Sequence, residues 1–176
     1  MKRIILISTY LFLMGDQAMA LTLSSPVFQP NAPIPSHYTC DGENVSPPLT
    51  WASVPEGTQS LVLIMDDPDV PKTIRADGMW DHWVLFNIPP SVVGLSENAK
   101  DFFGALQGKN SRGKLGYTGP CPPDRQHRYF FKLYALDTTL NLPEGATKAE
   151  VQAACQGHIL DQAELMGVYD RPGRTK

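Results

Sequence analysis

The chain has 176 residues, a formal net charge of −3, and 16 prolines and 14 glycines spread along its length. With no basic run or basic helix, nucleic acid and anionic membrane surfaces are excluded as main partners. The proline and glycine content points to short strands joined by turns and irregular loops.

Residues 1–20 read as a secretory signal peptide. Lys2 and Arg3 form a short positive region, residues 4–14 an apolar run too short to span a bilayer, and Ala18-Met19-Ala20 a small-residue cleavage site. Cleavage after Ala20 leaves 156 of the 176 residues; Lys2, Arg3 and Asp16 depart with the leader, taking the formal charge from −3 to −4. Residues 21–176 are expected to form a single exported domain, periplasmic or secreted, without stable membrane insertion. A chain of that length buries roughly two-thirds of its surface as one domain. Three cysteines remain. Cys40 and Cys121 lie in loops rich in Pro, Gly and Asp and are expected to pair, as export permits. Cys155 is placed on the apolar side of a helix as a small hydrophobe.

In chain order, residues 21–28 and 49–51 read as short strands, and residues 60–65 (SLVLIM) as a buried one. Residues 82–88 (HWVLFNI) form the next, stopped by Pro89-Pro90. Residues 89–117 are a long connection expected to carry one or two edge strands. Residues 128–136 (RYFFKLYAL) are aromatic-rich, as strands tend to be. Thr147 and Glu150 have capping-box spacing. Val151, Cys155, Ile159, Gln162 and Met166 then recur at three- and four-residue intervals, which predicts a helix over about 148–166 with Gly167 as its C′ residue. The whole reads as a mainly β domain with a helix near the C-terminus packed on a sheet.

Chemistry-bearing residues gather at strand ends. Asp66, Asp67 and Asp69 close the strand at 60–65, in a turn stiffened by Pro68 and Pro71; Val70–Pro71 is a candidate cis bond. His82 stands between Trp80 and Trp83. Alternation puts His127, Tyr129 and Phe131 on one face of the next strand. Residues 119–123 (GPCPP) have few backbone donors, and the N–H groups of Gly119 and Cys121 are available to an anion. His37 and His158 lack such company and read as structural.

Two chemistries compete for this set. Asp67, His82 and His127 around a metal would make a two-histidine, one-carboxylate site, although no HxH or HExxH spacing supports it. Without a metal, imidazoles and N–H groups favour an anion such as phosphate, with Asp67 orienting one ring and the aromatics walling the pocket. No GxSxG elbow, phosphate-cradling glycine loop or dinucleotide fingerprint is present, and Cys121 is a weak candidate nucleophile.

DDPDVP (residues 66–71), the tryptophan-flanked His82 and GPCPPDRQHRY (residues 119–129) resemble the phosphatidylethanolamine-binding proteins, also called Raf kinase inhibitor-like proteins. Residues 38–51, 110–123 and 157–169 resemble the small bacterial branch of that family. The resemblance implies a Greek-key β-sandwich with a large antiparallel sheet and one C-terminal helix, a cis Val70–Pro71 bond, and a homodimer. It also implies a small anion pocket for phosphate, acetate or phosphorylethanolamine, built from Asp67, Trp80, His82, Cys121, Pro123, His127 and Tyr129, with no metal and no cofactor. On this basis the chain is expected to be a non-enzymatic binding protein for a small phosphate- or carboxylate-bearing ligand. The alternative is a periplasmic or secreted inhibitor of a protease or other protein partner, and a metal-dependent hydrolase is the weakest reading. Two departures stand out. Few residues follow Tyr169, so the C-terminal segment that covers the pocket in eukaryotic members is not expected here, and Asp81 stands where animal members often carry another histidine. Kinase inhibition does not transfer with the family name.

Overall fold

The computed structural model describes residues 19–173. The signal peptide expected over residues 1–20 lies, but for its last two residues, outside this range. Among the described residues no helix is long and apolar enough to cross a membrane.

Two antiparallel sheets and one short helix make three layers. The small sheet contains β1 (Thr22–Ser24), β2 (Leu49–Ala52) and β5 (Gly94–Leu95), with β2 in the middle. The large sheet contains β3 (Ser60–Asp67), β4 (Trp80–Ile88), β6 (Leu106–Gln107), β7 (His127–Leu136) and β8 (Ile159–Tyr169), in the order β6-β4-β3-β7-β8. The long connection therefore carries two edge strands, β5 and β6, one for each sheet.

The layering explains the sequence patterns. β3 sits at the centre, and all eight of its residues are buried. Leu61, Leu63 and Met65 face the small sheet together with Trp83, Leu85, Phe131 and Leu133. Val62 and Ile64 face the other way, against Val84, Phe86, Val151 and Cys155. A strand covered on both faces reads as a continuous apolar run rather than an alternation. β7 is covered on one face only: Tyr129, Phe131, Leu133 and Ala135 are buried, and the residues between them are partly exposed.

The helix requires a correction. α1 spans Lys148–Cys155, not 148–166. Its start is as expected: Thr147 and Glu150 form a reciprocal capping box. It ends at Gln156, which is extended, and Gly157, at φ 81°. The chain then returns as β8, paired with β7 from His127↔Tyr169 to Leu136↔Ile159. Leu165, Gly167 and Tyr169 point inward at period two. Gly167 is not a helix C′ residue but a contact point: a Cβ there would lie 2.6 Å from Ile34 Cγ1 and 2.9 Å from Phe28 Cε2. The described residues contain no cis peptide bond, so Val70–Pro71 is trans, contrary to the resemblance.

Candidate functional site

The acidic turn divides its carboxylates between the two faces of β3, as strand alternation requires. Asp66 is buried toward α1, where Lys132 Nζ lies 2.9 Å and Lys148 Nζ 3.3 Å from its carboxylate oxygens. Asp81, paired with Asp66 across the strands, also meets Lys148. These four residues pin α1 to the sheet and stand apart from the pocket.

Asp67 faces the opposite side and is 3% exposed. Its Oδ1 accepts the Asp69 N–H at 2.8 Å, and its Oδ2 lies 2.7 Å from His127 Nδ1. The second ring nitrogen of His127, Nε2, lies 2.8 Å from Asp124 Oδ1. Burial alone would lower the His127 pKa, but the hydrogen bonds to Asp67 and Asp124 outweigh it and raise the value above the ordinary one. Both ring nitrogens of His127 thus face carboxylate oxygens, which favours the charged ring, and Asp124 is held below the usual carboxylate range by the bond from His127.

His82 reaches the same side by a β-bulge. Met65 pairs with Trp83 but Asp66 pairs with Asp81, so His82 is the extra residue of β4. A bulge re-aims side chains, and here it sets His82 edge-on to Tyr129 at 5.3 Å while Trp83 stays in the core. His82 is buried, and burial pushes its pKa down, so the ring is neutral near pH 7. Its Nδ1 meets the Thr118 carbonyl, which can only accept, so the proton sits on Nδ1.

In front of these groups lies a cavity of about 170 Å³. Asp67, Trp80, His82, Cys121 and Pro123 line it, as do Thr118 and Gly119. Val70 and Ile74 supply apolar wall, and Arg112 stands at its mouth. His127 and Tyr129, also expected in the pocket, are fully buried behind it and do not line it. The Gly119 N–H is not available to a ligand, because it donates to Asn44 Oδ1 at 2.7 Å. Gly119 itself is a close approach: a Cβ would meet Asn44 Oδ1 at 2.7 Å and the Tyr38 carbonyl. The Cys40–Cys121 disulfide is formed, with Cα atoms 5.4 Å apart, and it ties this wall to the loop before β2. Cys155 is the free, buried cysteine.

Two charged residues of the site, Asp124 and Arg112, carry no signal that singles them out in the sequence. Asp124 lay within GPCPPDRQHRY, three residues before His127. Arg112 lay within a matched segment but carried no local mark. Its loop is knitted around buried Asn110, whose Oδ1 accepts the N–H groups of Arg112 and Lys114 and whose Nδ2 donates to Gly116 O and Thr118 Oγ1. Asp69 fixes the end of the acidic turn by a bidentate pair with Arg128, at 2.8 Å through both Nε and Nη2. His37 pairs with Glu97 and His158 with Asp137, both away from the cavity. Among the described residues no group of three or more His, Cys, Asp or Glu side chains is arranged to hold a metal ion.

A two-sheet β-sandwich with a small cavity at the ends of its central strands is the arrangement that the known relatives share a name for. Residues 24–170 match the family model "Phosphatidylethanolamine-binding protein". A UPF0098 protein of Chlamydia pneumoniae is 52% identical over 151 residues, covering 86% of this chain and 99% of its own length. One from Methanothermobacter thermautotrophicus is 52% identical over 155 residues, with the same coverage. Among solved structures, a phosphatidylethanolamine-binding protein homolog from Chlamydia trachomatis superposes with a TM-score of 0.83 at 48% identity, over 86% of this chain and 98% of that one. YbcL of E. coli, described as a member of the mammalian family, gives 0.79 at 32% identity, over 87% and 99%. The chain belongs to the phosphatidylethanolamine-binding protein family.

Proposed function

We propose that this chain is a non-enzymatic binding protein whose pocket takes a small phosphate- or carboxylate-bearing ligand. The observation that supports this reading is an exposed arginine, Arg112, on the lining of the cavity. The Arg112 guanidinium makes no ion pair or side-chain hydrogen bond among the described residues, whereas both oxygens of the nearby Asp67 carboxylate are engaged. Thr118 adds a hydroxyl, and His82 adds a second donor once Nε2 is protonated. A cavity of about 170 Å³ suits a phosphate or a short headgroup; drug-sized ligands occupy roughly 300–1,000 Å³. We further propose that the mature chain works outside the cytoplasm. The leader-like pattern of residues 1–20 and the Cys40–Cys121 bridge support that placement.

Calorimetric titration with inorganic phosphate tests the reading. Arg112→Ala should weaken binding roughly three- to tenfold, the range for one exposed charge-assisted hydrogen bond. Unchanged affinity in that variant would remove Arg112 from the site.

A further inference from the structure

The His127 ring is fully buried, although its partner Asp67 lines the cavity, as do Cys121 and Pro123 a few residues before it in the chain. The group over its Nε2 is Asp124, at 2.8 Å, next in the chain to Pro123. Asp124 differs from Asp67 in one respect that matters: its side chain is 41% exposed, against 4%. It also has a second anchor pointing outward, since Arg125 Nη1 donates to its Oδ2 at 2.8 Å while Arg125 Nη2 reaches the Asp69 carbonyl at 3.2 Å.

From this geometry we infer that Asp124 is a built-in competitor for the ligand's anion. Its carboxylate occupies the donor position on His127 Nε2 that an incoming oxyanion would take, and the pocket extends to His127 when that exchange occurs. The inference rests on the anion-pocket reading above and adds a side chain of this chain that the ligand must displace. The exchange swaps one anion for another on the same N–H. The imidazolium keeps two anionic partners throughout, and no buried charge is left unpaired. Arg125 already holds the outer oxygen of Asp124 and can keep the displaced side chain. The ligand that profits is a small oxyanion, a carboxylate or phosphate monoester, able to replace a carboxylate on an imidazolium. A neutral or purely cationic ligand gains nothing from the exchange.

The test is titration of the wild type, Asp124→Asn and Asp69→Asn with inorganic phosphate and with acetate, read by calorimetry and by the ¹⁵N signals of His127. The expected results are roughly tenfold tighter binding by Asp124→Asn and a shift of the His127 Nε2 signal when the wild type is saturated. A wild type too weak to measure beside a variant that binds would support the inference most strongly. Asp69→Asn removes the same charge nearby without uncovering Nε2; an equal gain there would overturn displacement in favour of a general charge effect. Equal or weaker binding by Asp124→Asn, with Nε2 unmoved, would overturn the inference and leave the anion pocket standing. No binding by any of the three would overturn both.

Discussion

His127 holds Asp67 with one nitrogen and Asp124 with the other, and that double pairing governs both stability and its pH dependence. His127→Gln retains a donor for one carboxylate only and leaves a buried charge without its partner. The expected cost is about 3 kcal/mol, read from urea unfolding near pH 6. Because the folded pKa of His127 is raised, its contribution is fully present below about pH 6.5, the unfolded value, and is lost as pH rises through the higher folded value. Wild-type stability should therefore decline as pH rises above about 6.5 through the folded value, and His127→Gln should lack the decline. Superimposable pH profiles would show that His127 is not the charged centre described here. The two histidines had looked alike in the sequence. Burial without a carboxylate on its ring separates His82 from His127, and neither the bulge that aims His82 nor the carboxylates that clamp His127 leaves a periodic signal. Asp67, Trp80, His82, Cys121 and Pro123, which the family resemblance assigns to the pocket, line the cavity from strand ends and a proline-stiffened loop. Arg112 was not legible in the sequence, because a folded loop around Asn110, rather than any local pattern, brings it to the mouth.

At the scale of elements, the strands that were plain in the sequence are those whose burial leaves a signature: β3 as an unbroken apolar run, and β7 as an alternation with aromatics. β8 was misread because LDQAELM has good helix formers whose apolar members fit a 3.6-residue stripe. Ten register pairs with β7, and a glycine that lets Phe28 and Ile34 close on the strand, override that local preference. The capping box marked the start of α1 correctly, but the single turn at Gln156–Gly157 that ends it was weaker than the stripe running past it. The disulfide acts at this scale too. It closes a sequence separation of 81 residues, and loop entropy assigns such a bridge about 4 kcal/mol. It also holds the cavity wall, where the Cys40 N–H donates to the Pro120 carbonyl at 3.0 Å. The double variant Cys40→Ser with Cys121→Ser should lose roughly 2–4 kcal/mol in denaturant unfolding and bind phosphate more weakly. A variant that keeps full stability would show that the bridge constrains neither the chain nor the wall.

Across the whole molecule, the two cores on either face of the large sheet fix the strands, and the cavity opens where β3, β4 and β7 run out into loops. Rigid sheets supply Asp67, His82 and His127, and the loops at 69–75 and 110–123 supply the walls, so the site is held by the scaffold without being part of either core. The central claim is that this edge binds a small oxyanion. It is tested most directly by titrating the mature chain, residues 21–176, with inorganic phosphate and then O-phosphorylethanolamine while following the ring signals of His82 and His127. Saturable shifts confined to these rings, Arg112 and the loop at 118–123 are the predicted result. Unmoved signals of His82, Arg112 and the loop at 118–123 at millimolar ligand would contradict the account.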